Sequence, residues 1–95
     1  MKAAAILEQK LLVALIENEI NAAFIFVAVA RTAYRAAHFS DGNEALSKAE
    51  AIYVQASELA RDSNEETKQA IADRFRELRQ ALDGLMQSAR AQNKS

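Results

Sequence analysis

The chain has 95 residues, of which 51 % are hydrophobic, with no proline, two glycines, no cysteine and a formal net charge of −1. This length suits a single domain spanning residues 1–95, and the scarcity of helix-breaking residues predicts an all-α fold. The balanced charge gives no general attraction to nucleic acid or anionic lipid, and the missing cysteines exclude disulfides, thiol catalysis and thiolate zinc sites.

The first predicted helix is long and unusually apolar. It runs from about residue 3 to about residue 38, and residues 20–37 are almost uninterrupted by charge. Two apolar rows follow it at heptad-like spacing. The first row is Val13, Ile16, Ile20, Ala23, Val27, Ala30 and Tyr34. The second row is Leu11, Leu15, Ala22, Ile25, Val29 and Ala36. Two rows predict a central helix with neighbours on two sides, continuous through the polar residues 17–19.

The second helix follows a stretch of turn-forming residues. Residues 39–43 are rich in cap and turn formers, which predicts a connection there, with Gly42 free to take a positive φ and the helix starting near Asn43. Its apolar row is Ala45, Ala49, Ile52, Ala56 and Leu59. Residues 62–64 then predict a stop and a new start.

The third predicted helix is the most regular amphipathic segment. Ser63 or Asn64 is the expected N-cap, and Glu65 and Glu66 complement the helix dipole in the first turn. Its apolar row is Ile71, Phe75, Leu78, Leu82, Leu85 and Ala89, at spacings of 4, 3, 4, 3 and 4. Gly84 lies beside this row and costs about 1 kcal/mol relative to alanine.

Short turns between these helices predict a three-helix up-down-up antiparallel bundle with a long first helix. At 1.5 Å per residue the first helix spans about 50 Å and the second about 27 Å, so we expect the start of helix 1 and the second half of helix 3 to overhang. Burial of a large aliphatic side chain is worth about 1.5–3 kcal/mol, which predicts a protein interface at the first overhang. The predicted interface residues are Ile6, Leu7, Leu11, Leu12, Leu15 and Ile16.

This uncovered segment predicts a non-enzymatic module for protein-protein interaction or self-association. We expect a homo-oligomer, most simply a dimer, or the docking of a partner helix. Residues 11–30 have bilayer length, but charged and amide side chains at residues 17–21 would be costly there, so no membrane span is expected. Glu8 and Lys10 interrupt any export signal, which favours a cytoplasmic protein.

Three groups of residues offer alternative chemistry. His38 precedes Asp41 and Glu44 at intervals of three, a pattern that suggests a metal site or a general base, although a helix end explains the histidine as well. We predict no catalytic residue, metal or cofactor. An enzyme that uses His38 is the last of three functional hypotheses, after the interaction module and the small-ligand-binding bundle described below. Arg31 and Arg35 stand one turn apart and suit phosphate or carboxylate groups.

The second hypothesis is a small-ligand-binding bundle with an aromatic-lined pocket beside Phe24, Phe26 and Tyr34. Aromatic residues at helical spacing are more often part of a core. On helix 3, arginines 74, 76 and 79 alternate with acidic residues, which is typical of a solvated face rather than a nucleic-acid site.

Residues of about 27–85 also resemble helical interaction modules. In helix 2, the run Glu44-Ala45-Leu46 followed by Ala49, Tyr53 and Ala56 is similar to the small-and-aromatic pattern of the MIT (microtubule-interacting and transport) domain and of the tetratricopeptide helix pair. In helix 3, residues 64–85 resemble the third MIT helix. The resemblance implies a groove between helices that receives a partner helix.

Overall fold

Three helices make up the part of the chain that the structure, a computed structural model, describes: the backbone of residues 2–93 and the side chains of residues 7–90. Helix α1 is Lys2–Arg35, α2 is Phe39–Arg61 and α3 is Glu65–Asn93. Residues 2–93 contain no strand. The helices form an up-down-up bundle, which confirms the predicted fold class, and the molecule is a rod of 59 × 17 × 15 Å.

Helix α1 is continuous through Glu17, Asn18 and Glu19, as predicted. Its first apolar row faces the other two helices, and from Ile16 to Tyr34 every member of that row is buried. The buried residues of α2 and α3 complete a single core. They are Ala45, Ala49, Ala56, Ile71, Leu78, Leu82 and Leu85. The small side chains of α2 let it lie close to α1, and the larger leucines of α3 fill the remaining space.

The first turn is shorter than predicted. Helix α1 ends at Arg35, and Ala37 adopts a left-handed backbone with φ of 64°. The His38 amide donates to the Ala33 carbonyl (2.8 Å) and the Ala37 amide to the Tyr34 carbonyl (3.1 Å), the pair of bonds that closes a Schellman motif. Because this motif turns the chain by residue 38, the predicted turn at residues 39–43 is wrong, and those residues form the start of α2.

Gly42 is helical and does not use the positive φ that a glycine allows. A Cβ at this position would lie 2.5 Å from Cε1 of Tyr34, which shows that the missing side chain makes room for the aromatic ring. The Tyr34 hydroxyl donates a 2.7 Å hydrogen bond to Oδ1 of Asn43. Burial raises the pKa of Tyr34, and the nearby carboxylate of Glu50 raises this pKa further.

The second turn follows the prediction. Asn64 caps α3, since its Oδ1 accepts a 2.8 Å hydrogen bond from the Thr67 amide. The buried Thr67 hydroxyl then donates to Oε1 of Gln9 at 2.9 Å, which places the start of α3 beside the start of α1.

The overhangs predicted at both ends of the bundle are wrong in extent. Helix α2 begins four residues before Asn43, so it is longer than expected and its Leu59 reaches Leu12 near the start of α1. Helix α3 starts beside Gln9 and is parallel to α1, so its second half stays in contact with the bundle. Leu78, Leu82 and Leu85 are accordingly buried.

Candidate interaction surface on the first helix

The second apolar row of α1 lies on the side that faces away from α2 and α3. We call this side the outer face and define it by nine residues between positions 7 and 32 that lie within about 100° of arc on the helix. They are Leu7, Leu11, Ala14, Leu15, Asn18, Ala22, Ile25, Val29 and Thr32. Leu11 is 61 % exposed and Ile25 is 64 % exposed. Five of the seven large hydrophobic residues that are exposed in the described part of the chain belong to this face.

The outer face carries no charged side chain along its whole length. A helix that faces water normally has charged residues there, and an apolar patch with a polar rim is typical of an interaction site. The rim is present on both sides. Lys10, Glu17 and Arg35 follow the edge next to α3, and Glu8 and Glu19 follow the edge next to α2.

The spacing within the outer face is that of a coiled-coil seam. Positions 11, 15, 18, 22, 25 and 29 are separated by 4, 3, 4, 3 and 4 residues, which keeps them in one line along the helix. Asn18 is the polar member of this line, and a single polar residue in a seam helps to specify how two helices align.

A groove between α1 and α2 borders the outer face near its amino end. Leu12, Leu15 and Leu59 give it an apolar floor. Glu19, Glu58 and Asp62 give it an acidic rim, and its volume is about 680 Å³. The apolar surface of α1 therefore continues from the exposed seam towards α2.

The structure divides the predicted interface residues into three groups. Leu7, Leu11 and Leu15 are exposed on the outer face. Leu12 is partly buried against the core, and Ile16 is 0 % exposed, so the expectation that these two lack cover is wrong. The longer α2 and the close start of α3 explain their burial. Ile6 lies outside the residues whose side chains the structure describes.

Ile25 and Val29 were missed as candidate interface residues. Both belong to the second apolar row, whose heptad-like spacing predicts a contact with another helix of the same chain. The second apolar row marks both residues as candidates for a helix contact. The predicted contact inside the chain is wrong, because α2 and α3 both pack against the first row.

His38 does not assemble a site with the two acidic residues that follow it. Its Nδ1 lies 3.8 Å from Oδ2 of Asp41, with both side chains largely exposed, while Glu44 pairs with Lys48 at 3.5 Å. Residues with described side chains form no cluster of three or more possible metal ligands.

The three aromatic residues of the second hypothesis are not brought together. The Phe24 ring lies 5.2 Å from the Arg74 guanidinium of α3, and the Phe26 ring lies 5.7 Å from Lys48 Nζ of α2. Tyr34 packs against Gly42. Each ring has a different neighbour, so the structure offers no aromatic pocket shared by the three.

Three arginines in the first half of α3 are paired with acidic residues of the same helix. Arg74 lies 3.3 Å from Glu77, Arg76 lies 3.0 Å from Asp73, and Arg79 lies 3.0 Å from Asp83. Neutralisation by acidic neighbours agrees with the predicted solvated face. Arg31 and Arg35 instead line a cleft between α1 and α3.

Helix α1 also meets a length and hydropathy criterion for membrane spans. Leu7–Arg35 contains a window with a mean hydropathy of 1.8, of which only 22 % is buried inside the chain. The core helix of a soluble protein can pass the same criterion, but such a helix is mostly buried. The low buried fraction shows that α2 and α3 leave most of this apolar segment of α1 uncovered.

Comparison with known proteins identifies no relative. No protein-family model matches the chain, and neither a curated protein nor a solved structure matches it significantly.

Proposed function

We propose that the protein is a non-enzymatic helical module that self-associates through the outer face of α1, most simply as a dimer. The single observation that supports this proposal is the uncharged apolar face from Leu7 to Thr32, which α2 and α3 leave exposed. Burial of large aliphatic side chains stabilises an assembly by about 1.5–3 kcal/mol each as an upper range, so covering Leu11, Ile25 and Val29 favours association.

A second copy fits this face better than a bilayer does. The exposed seam has the heptad-like spacing with which two helices pack against each other. Glu17 and Glu19 lie on its two edges at mid-length, where a hydrocarbon environment would be costly but the rim of a protein interface would leave them solvated.

Both orientations of such a pair match large apolar residues along the seam. An antiparallel pair reversed about residue 20 places Leu11 opposite Val29 and Leu15 opposite Ile25, whereas a parallel pair in register places each residue opposite its own copy. Cross-linking therefore decides the orientation.

Native mass tests the proposal directly. We expect sedimentation equilibrium to give a mass that rises from one chain towards two between about 1 and 200 µM, the range in which weak dimers form. The double substitution Leu11→Asp/Ile25→Asp should hold the mass at one chain, because each aspartate would be buried without a partner. The matched control is Phe39→Asp/Val54→Asp, which adds the same charge at two exposed apolar positions of α2 and should leave dimerisation intact.

A single-chain mass for the unmodified protein at every concentration would contradict self-association. In that case the helix of another protein would be the remaining occupant of the outer face.

Disulfide cross-linking tests the orientation of the two helices. The chain has no native cysteine, so only the introduced cysteines can form a disulfide. A Leu11→Cys/Val29→Cys chain should oxidise to a covalent dimer if the helices are antiparallel. Leu11→Cys alone should then remain uncoupled. Efficient coupling of Leu11→Cys alone would show a parallel pair instead, since identical positions meet only in that arrangement.

A further inference from the structure

A cleft with both polar and apolar lining separates the carboxyl-terminal halves of α1 and α3, on a different side of the bundle from the outer face. Its volume is about 380 Å³. Helix α1 contributes Arg31, Tyr34 and Arg35, and α3 contributes Gln80, Ala81, Gly84, Leu85 and Ser88. The Tyr34 hydroxyl is engaged by Asn43, so the hydrogen-bond donors available to the cleft are the two guanidinium groups and the side chains of Gln80 and Ser88.

The two arginines of the cleft differ from those along the first half of α3. Neither Arg31 nor Arg35 has a carboxylate within 4.0 Å among the residues with described side chains, whereas Arg74, Arg76 and Arg79 each have one. Two unneutralised guanidinium groups one helical turn apart present a fork of N–H donors and two positive charges. That combination suits a doubly charged oxyanion.

Gly84 is the second unusual feature of the cleft. It is an exposed glycine inside a helix, where glycine is less stable than alanine. Gly42 is required by the Tyr34 ring, but a Cβ at Gly84 would meet nothing within 4 Å. Packing inside the chain therefore does not explain Gly84. A glycine here keeps the wall of the cleft open and lets another molecule approach the backbone of α3 closely.

We propose that this cleft binds a phosphoryl group, with Arg31 and Arg35 holding its charge, Gln80 and Ser88 donating hydrogen bonds, and Gly84 providing the space. A phosphate monoester carries nearly two negative charges at pH 7 and three acceptor oxygens. It therefore matches the charge and the donors of two guanidinium groups better than a carboxylate ligand, which has one charge and two oxygens. A free phosphorylated molecule and a phospholipid headgroup present the same chemistry. None of these residues belongs to the outer face as defined above, although Arg35 also follows its edge next to α3.

The first experiment uses two probes of this chemistry. Phenyl phosphate, a water-soluble monoester, is titrated into the full chain at constant ionic strength, and binding is followed by calorimetry and by amide NMR shifts around residues 31–35 and 80–88. In parallel, flotation measures binding to phosphatidylcholine vesicles that contain phosphatidic acid. Saturable binding of phenyl phosphate indicates a free ligand, and binding to vesicles alone indicates a headgroup.

Charge-matched variants decide whether such binding is specific. Arg31→Gln/Arg35→Gln should lower the affinity on the order of tenfold or more, as expected from the loss of charge-assisted hydrogen bonds. Arg61→Gln/Arg76→Gln removes the same charge elsewhere and should leave the affinity unchanged. An equal loss in both variants would reduce the effect to general electrostatics and overturn the proposal, as would the failure of both probes to bind the unmodified chain.

Gly84→Ala separates binding from stability. Because the new methyl group meets no neighbour, the substitution should raise Tm by about 4 °C or more, the shift that corresponds to the helix propensity gained. The same methyl group enters the cleft and should weaken the binding of the probe. A variant that is more stable and binds equally well would show that Gly84 does not serve this site.

Discussion

The two faces of α1 have similar apolar residues and opposite surroundings. Ile16, Ile20 and Val27 on the inner face are almost completely buried, whereas Leu11 and Ile25 on the outer face remain mostly exposed. Both faces have heptad-like spacing. The difference arises because both connections are three residues long, so α2 and α3 fold back and pack against the same side of α1. A second apolar row on such a helix therefore points to a surface outside the chain.

The largest expected effect is the difference in unfolding free energy between a substitution on the inner face of α1 and one on its outer face. Ile20→Ala should lower the free energy of unfolding by about 2–5 kcal/mol, because it leaves a cavity in the core. Ile25→Ala should change it by less than about 0.5 kcal/mol in a single chain, because the side chain is already in water. Urea unfolding measures both at a protein concentration of about 1 µM, the lower end of the range in which weak dimers form. Equal losses at the two positions would remove the distinction between the faces.

The end of the inner face gives the next effect, at the contact between Tyr34 and Gly42. Gly42→Ala places a methyl group 2.5 Å from the Tyr34 ring and should destabilise the fold by about 1–3 kcal/mol, despite the better helix propensity of alanine. Gly84→Ala is the matched control and should have the opposite sign. The comparison is made by thermal unfolding of the two variants. A stabilised Gly42→Ala variant would mean that the ring can move away without cost.

Tyr34→Phe tests the polar end of the same face. Loss of the hydrogen bond to Asn43 should cost about 0.5–1.5 kcal/mol at pH 7. The pKa of Tyr34 is raised in the folded chain, so the neutral side chain contributes to the free energy of unfolding. This contribution is complete below the unfolded pKa of 10.0 and is lost as the pH rises through the folded pKa.

Urea unfolding between pH 8 and 11 measures this dependence for Tyr34→Phe and for the unmodified chain. The stability of the unmodified chain should fall more steeply above about pH 10, and the gap between the two proteins should narrow. A gap that is constant across the range would show that Tyr34 does not titrate differently on folding.

The smallest effect concerns the outer face alone. For a dimer, each tenfold increase in protein concentration should raise the apparent free energy of unfolding by about 0.7 kcal/mol per chain, half of the 1.4 kcal/mol that corresponds to a factor of ten. The urea midpoint of the Leu11→Asp/Ile25→Asp variant should not depend on concentration. If the urea midpoint of the unmodified chain is also constant over a hundredfold range of protein concentration, a second copy does not cover the outer face.

Much of the fold was predictable because helical periodicity and capping are local properties. The first row of α1, the regular row of α3 and the Asn64 cap all lie where the pattern of residues places them. The first turn was not predictable in the same way. Turn formers at residues 39–43 pointed to the wrong position because the chain turns at Ala37, a residue without a strong turn preference, through hydrogen bonds of the helix end.

The candidate interface was predictable only in part. The apolar character of Leu7, Leu11 and Leu15 correctly predicts exposed apolar side chains, whereas Ile16 is buried because α2 starts four residues earlier than the turn formers indicate. Ile25 and Val29 were visible as apolar residues but were assigned to a contact inside the chain. Periodicity reports which side of a helix is apolar, and only tertiary packing decides which of two apolar sides is covered.

The Schellman turn at residues 36–38 has a consequence for the way the chain folds. It joins α1 to α2 by a local hairpin, and the turn at residues 62–64 joins α3 in the same manner. Most tertiary contacts therefore form between segments adjacent in sequence, a topology of low contact order for which refolding in microseconds to milliseconds is typical. Its transition state should contain the hairpin of α1 and α2, the two helices with the most extensive contact, and φ-value analysis of residues in the core tests this expectation.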